Sequence, residues 1–121
     1  MKEIQDSEFN TIFIEAFEQS IRDLLGSDVL SSLYVALERS HNVTRNDLPK
    51  RFDVANVLLE HIFGVRASRR ICMGMVRRLY RKLNLDFHDN PNLTLADYIE
   101  NAKRIDTSER VAKLEGKLEK V

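Results

Sequence analysis

A chain of 121 residues, 43% hydrophobic and 31% charged, can bury a core without disulfides and is too apolar to be disordered. Its single cysteine, Cys72, excludes an internal disulfide framework and a multi-cysteine zinc centre. The charges cancel, 19 basic against 19 acidic, but they are segregated: residues 1–38 carry −6, residues 39–85 carry +8 and residues 86–121 carry −2.

Four glycines and two prolines leave few places for sharp turns, and no stretch alternates apolar with polar residues for long. The expected fold is all-α, a compact bundle of five to six short helices in one domain spanning 1–121. Its helical core covers about 7–85, with a C-terminal helical extension over about 94–121. No apolar run approaches the length of a membrane span. The opening "MKEIQDSEFN" is acidic where a secretory signal is basic and then apolar, so a cytoplasmic setting is expected.

The first helix is predicted from about Ser7 to Leu25. Phe9, Ile12, Phe13, Ala16, Phe17, Ile21 and Leu24 form one apolar stripe, Ser7 is a candidate N-cap and Gly26 a stop. A second helix follows from Ser27 or Asp28 to near Ser40, with Leu30, Leu33, Tyr34 and Leu37 inward. Polar connection then leads to Pro49, which is suited to open a third helix. That helix runs from about Phe52 or Asp53 to Phe63, burying Val54, Val57, Leu58, Ile62 and Phe63, and ends at Gly64.

"RASRRICMGMVRRLYRKL", residues 66–83, is the chain's most distinctive segment: seven basic residues and no acid. Wound as a helix, it places Ser68, Cys72, Met75, Val76, Leu79 and Leu83 on one side. Arg66, Arg70, Arg77 and Arg81 fall on another, within a sector of about 60°. Arg69, Arg78 and Lys82 flank that stripe, Gly74 lies close to it, and Met73 and Tyr80 sit beside it. Guanidinium forks suit phosphate oxygens, and arginine outnumbers lysine here six to one. Three readings stay open: a solvated or internally paired face, contact with nucleic acid, or contact with an acidic protein partner. The overall pI of 6.8 is lower than that of a dedicated nucleic-acid binder.

"LDFHDNPN" reads as a loop, and Asn84 suits a left-handed helix end. Thr94 with Asp97 resembles a capping box opening a fifth helix, Leu95 to about Arg104. Thr107 or Ser108 is expected to cap a last helix through Lys120. In that segment Val111, Leu114, Leu118 and Val121 step by three, four and three, a short seam. It either docks on its own domain or pairs with a second chain as a homodimer. Gly116 in its middle weakens the helix, so it needs such support.

Catalytic signatures are absent. No phosphate-binding glycine loop occurs, and His41, His61 and His88 form no zinc-binding pair. Asp86, His88 and Asp89 share one loop, a pattern far more often a turn than a metal site. Cys72 falls on an apolar face, where a thiol is inert. No enzyme activity, cofactor or metal is expected.

The segment from Ser31 to Phe87 resembles a small helical domain of archaeal proteins of unknown function. The resemblance rests on "LERS" at Leu37–Ser40, the Asn42-to-Pro49 connection, "IFG" at Ile62–Gly64 and "LYRKL" at Leu79–Leu83. It implies an all-α fold and an archaeal, intracellular setting, and no established activity. Arg66, Arg69, Arg70, Arg77 and Arg78 are denser than that pattern requires. The expected function is a non-enzymatic binding module, with DNA held by the 66–83 helix. The alternative is a homodimeric interaction or assembly module, in which the basic helix faces acidic protein surface.

Overall fold

The computed structural model describes the backbone of residues 2–119 and the side chains of residues 7–113 and 115. Five α-helices follow in order: α1 (Lys2–Leu25), α2 (Ser27–His41), α3 (Phe52–Phe63), α4 (Val65–Lys82) and α5 (Leu95–Glu119). A 3-10 turn at Arg45–Asp47 lies between α2 and α3, and no strand occurs among the described residues. The all-α bundle expected from composition and periodicity is what forms.

Two corners depend on glycine. Gly26 joins α1 to α2 and Gly64 joins α3 to α4, at φ 97° and 87° with extended ψ, a conformation that side chains with a Cβ rarely adopt. Each turns the chain in a single residue. Gly26 is therefore itself the N-cap of α2, and Ser27 already belongs to the helix rather than capping it. At the other end of α2, Asn42 takes the left-handed conformation; its N–H closes on the Glu38 carbonyl and the Val43 N–H on that of Leu37.

Four sequence-based boundaries shift. Helix α1 starts at Lys2 rather than near Ser7, in keeping with the good helix-forming residues Lys2, Glu3 and Gln5. Pro49 lies in the turn between the Arg45–Asp47 3-10 turn and α3 rather than in the first turn of α3. That turn is locked by Thr44, whose N–H and hydroxyl both donate to Asp47, at 3.0 and 2.9 Å. Helix α4 opens at Val65, directly after Gly64. The last two expected helices are one continuous α5: Asp106 is buried and accepts a hydrogen bond from Arg110 at 2.9 Å, while Arg110 also reaches Glu8 on α1. That pairing holds Thr107 and Ser108 inside the helix instead of freeing them as caps.

The core gathers where α1 meets α4, α2 and the start of α3. Phe13 and Phe17 both meet Phe52 edge-on, at 5.4 and 6.2 Å between centroids. The inward arc of α3 is Phe52, Ala55 and Leu59, with Val54, Leu58 and Phe63 partly buried. That arc leaves Val57 and Ile62 exposed, contrary to the sequence-based expectation. Leu24 is also exposed, at the open end of the bundle where α1 stops.

Candidate nucleic-acid interface

Helix α4 is the centre of the domain. Ser68, Cys72, Met75, Val76 and Leu79 are buried as the winding of the sequence requires, and Leu83, the helix's C-cap, is buried with them. Ile71, Met73 and Tyr80 are buried as well, so apolar cover wraps well over half the helix. What remains is a narrow exposed edge carrying the arginines.

Cover over Met73 and Tyr80 comes from the 85–93 loop, which looks merely polar in sequence. Phe87 is its anchor. Its ring meets Tyr80 edge-on at 5.4 Å and stacks on Tyr98 of α5 at 5.3 Å. The Tyr80 hydroxyl donates to the Tyr98 carbonyl at 2.7 Å, and burial pushes the Tyr80 phenol upward from its ordinary pKa. The Tyr98 hydroxyl accepts from the Asn90 N–H and donates to the Asn90 carbonyl, both at 2.8 Å. Beyond the loop, Thr94 and Asp97 cap α5 reciprocally at 2.9 and 3.1 Å, and those bonds hold the Asp97 carboxyl below its usual pKa. The loop is thus tied to two helices.

The seven cations of α4 divide into three groups. Arg78 and Lys82 turn toward the acidic helix α1, Arg78 to Asp23 at 2.7 Å and Lys82 to Glu15 at 3.8 Å. Such exposed pairs are worth less than about 1 kcal/mol each. Arg77 lies over the Phe87 ring, 5.6 Å from its centroid. Arg66, Arg69, Arg70 and Arg81 are exposed and pair with no acid among the described residues. Four of the seven (Arg66, Arg69, Arg70 and Arg77) line one open cleft of about 570 Å³ with Met73, Asp89 and Pro91.

The cleft was only half visible in the sequence. Its arginines stand out there, but Asp89 and Pro91 do not, because nothing in the sequence says that the loop folds back along α4. Phe87, a lone aromatic among Asp, His and Asn, is the one signal that could have shown it.

A second feature adjoins the same arginines. Leu24, Leu25, Phe63, Val65 and Ile71 line an apolar groove of about 870 Å³, with Arg66 and Arg70 among its walls. Leu24 and Val65 are 59% and 66% exposed. The C-terminal seam is less informative: Val111 is exposed, while the side chains of Leu114 and Leu118 and all of Val121 lie outside the described residues.

Other polar groups serve the fold. Glu18, almost buried, accepts from Arg45 at 2.7 and 3.2 Å and from Tyr34 at 2.8 Å. The Arg45 guanidinium holds the Glu18 carboxyl below its ordinary pKa despite burial. Asn56 accepts from the Ser68 hydroxyl at 3.1 Å and from the Cys72 thiol at 3.4 Å. Burial pushes that thiol up to about 11. Among the described residues, no group of three His, Cys, Asp or Glu could hold a metal ion, and no helix is long and apolar enough to cross a membrane.

No family model, curated protein or solved structure matches this chain, and none bears on the archaeal resemblance of residues 31–87.

Proposed function

We propose that this protein is a non-enzymatic binding module whose arginine edge on α4 holds the phosphates of a nucleic acid. The observation that carries this is the cleft. Arg66, Arg69, Arg70 and Arg77 converge on one opening, and none of the four forms an ion pair with an acid among the described residues. Four guanidinium groups gathered against one acid, Asp89, repel one another, and a phosphate chain relieves that repulsion while releasing its own counterions. Arg81 extends the edge by one further turn. Arg78 and Lys82, engaged with α1, lie outside the contact.

The test is anisotropy of a labelled oligonucleotide titrated with protein at low salt. The Arg66→Ala, Arg69→Ala, Arg70→Ala, Arg77→Ala quadruple variant is expected to lose at least tenfold in affinity while keeping its helical circular dichroism. A folded wild-type protein that binds no nucleic acid at low salt contradicts the reading.

A second reading is favoured by the apolar groove beside the arginines. A partner helix with apolar anchors and acidic flanks would place the anchors against Leu24, Phe63 and Val65 and its acids on Arg66 and Arg70. In that reading the uncharged change Leu24→Gln abolishes binding of the partner and leaves nucleic-acid affinity unchanged. The pairing of Arg78 with Asp23 and of Lys82 with Glu15 also bears on assembly. It joins the acidic first helix to the basic fourth within one chain.

A further inference from the structure

Which form of nucleic acid suits this edge is a question of what flanks it. A helix about 10–12 Å across fills a major groove about 12 Å wide, so what stands beside its exposed edge limits how deeply it enters. Here one flank of α4 is occupied by the 85–93 loop, fastened through Phe87 to Tyr80 and Tyr98 and through Asn90 to the Tyr98 hydroxyl. The opposite flank packs on α1, whose Glu15 and Asp23 pair with Lys82 and Arg78 and so take those two cations away from a second phosphate strand. An unpaired strand, whose bases are free to turn into the cleft, needs no such deep entry.

The cleft itself has the make-up of a nucleotide seat. Met73 and Pro91 give it apolar surface against which a base can lie. Arg77 lies over Phe87, 5.6 Å from the ring centroid, so its guanidinium is placed at the cleft before any ligand arrives. Arg66, Arg69 and Arg70 supply positive charge along one wall. On the other wall, Asp89 is the one acid, and an acid among phosphate-binding arginines works against backbone affinity. A carboxylate there does have a use: it accepts a hydrogen bond from the exocyclic amino group of a base, as carboxylates do with cytosine. The loop that carries Asp89 is braced, with Asn92 N–H donating to the Asn90 side chain at 2.9 Å next to Pro91.

We propose that the cleft between α4 and the 85–93 loop seats one unpaired nucleotide of a single strand, with Arg66, Arg69 and Arg70 on phosphates, the base against Met73, Pro91 and Arg77, and Asp89 accepting from an amino-bearing base. This inference rests on the reading of the arginine edge as a phosphate-binding surface and adds to it the strandedness and the base contact.

The experiment compares fluorescein-labelled oligo-dC and oligo-dT of fifteen nucleotides with a fifteen-base-pair duplex. Each is titrated with the full chain and with Asp89→Ala at neutral pH and about 50 mM salt. The seat predicts that both single strands bind more tightly than the duplex. It also predicts that oligo-dC binds about fivefold more tightly than oligo-dT, since thymine has no amino group to offer the carboxylate. Asp89→Ala is then expected to tighten binding of every probe by removing a negative charge, while erasing the preference for oligo-dC. Duplex binding equal to or tighter than single-strand binding overturns the seat and leaves the phosphate reading standing. A dC preference that survives in Asp89→Ala, or no preference in the wild type, also overturns it. Absence of binding to all three probes overturns both readings together.

Discussion

The Arg77 guanidinium lies over the ring of Phe87, 5.6 Å from its centroid, and together with the Tyr80–Phe87 contact it joins the basic helix to the loop beside it. Phe87 in turn stacks on Tyr98 of α5, so a cation on α4, a loop aromatic and a tyrosine on α5 form a continuous pile. The pile explains why the loop lies along α4 and why the cleft has two walls. Replacing Phe87 with Ala removes aromatic contacts to Tyr80 and Tyr98 and frees Arg77. The expected cost is about 1–3 kcal/mol, below that of a fully buried phenylalanine because Phe87 is half-buried. Thermal melting measures it, and an unchanged midpoint contradicts the anchoring role.

Gly74 lies in the interior of α4 beside the arginine edge, and a Cβ added there meets nothing within 4 Å. Gly74→Ala is therefore expected to stabilise the protein by about 0.5–1 kcal/mol, because alanine loses less chain entropy in a helix. That is a rise of about 4 °C or less in melting midpoint for a domain of this size. The nucleotide seat lies on the Met73 side of the helix, so affinity for single strands should stay within about twofold of wild type. A large loss of affinity would instead place the ligand across Gly74.

Glu18 supplies a pH dependence whose sign can be worked out. Its carboxyl is held below its ordinary value of 4.5, chiefly by the Arg45 hydrogen bond. Stability from the ionised form is thus fully present above about pH 4.5 and fades as pH falls through the lower folded-state value. Glu18→Gln should cost about 1–2 kcal/mol at pH 7, moderated because the Arg45 side chain is 55% exposed. The gap between variant and wild type in urea unfolding should narrow steadily as pH drops below 4.5. A gap that widens on acidification contradicts the assignment.

Cys72 is 1% exposed, and its thiol is pushed up to about 11. A disulfide-exchange reagent such as Ellman's should leave it unreacted in the folded protein and titrate one thiol per chain in denaturant. Asn56→Ala removes the acceptor that Ser68 and Cys72 share, with Ser68 fully buried, and is expected to cost about 1–3 kcal/mol. Rapid thiol labelling of the folded wild type would contradict the buried placement.

Local periodicity made much of the fold legible. The stripe of α1 and the apolar side of α4 follow from spacing alone, because a helix of fixed pitch leaves one solution for which residues share a face. Tertiary choices were less visible. Whether α3 buries Val57 or Leu59 depends on a rotation set by Phe52 meeting Phe13 and Phe17, which no spacing within α3 reveals. The continuity of α5 depends on Arg110 reaching both Asp106 and Glu8, the latter 102 residues away. The candidate site divides in the same way. Its arginines are a helical pattern and stand out in the sequence, whereas Asp89 and Pro91 join them only because Phe87 binds the loop down.

The most direct test of the arginine edge is the salt dependence of single-strand binding, measured from about 50 to 200 mM for wild type and for Arg70→Ala. Four phosphates neutralised by Arg66, Arg69, Arg70 and Arg77 predict a slope of log K against log salt near −3. Removing Arg70 should flatten that slope by somewhat less than one unit. Binding that is insensitive to salt, or a slope that Arg70→Ala leaves unchanged, would mean that α4 does not hold a phosphate backbone.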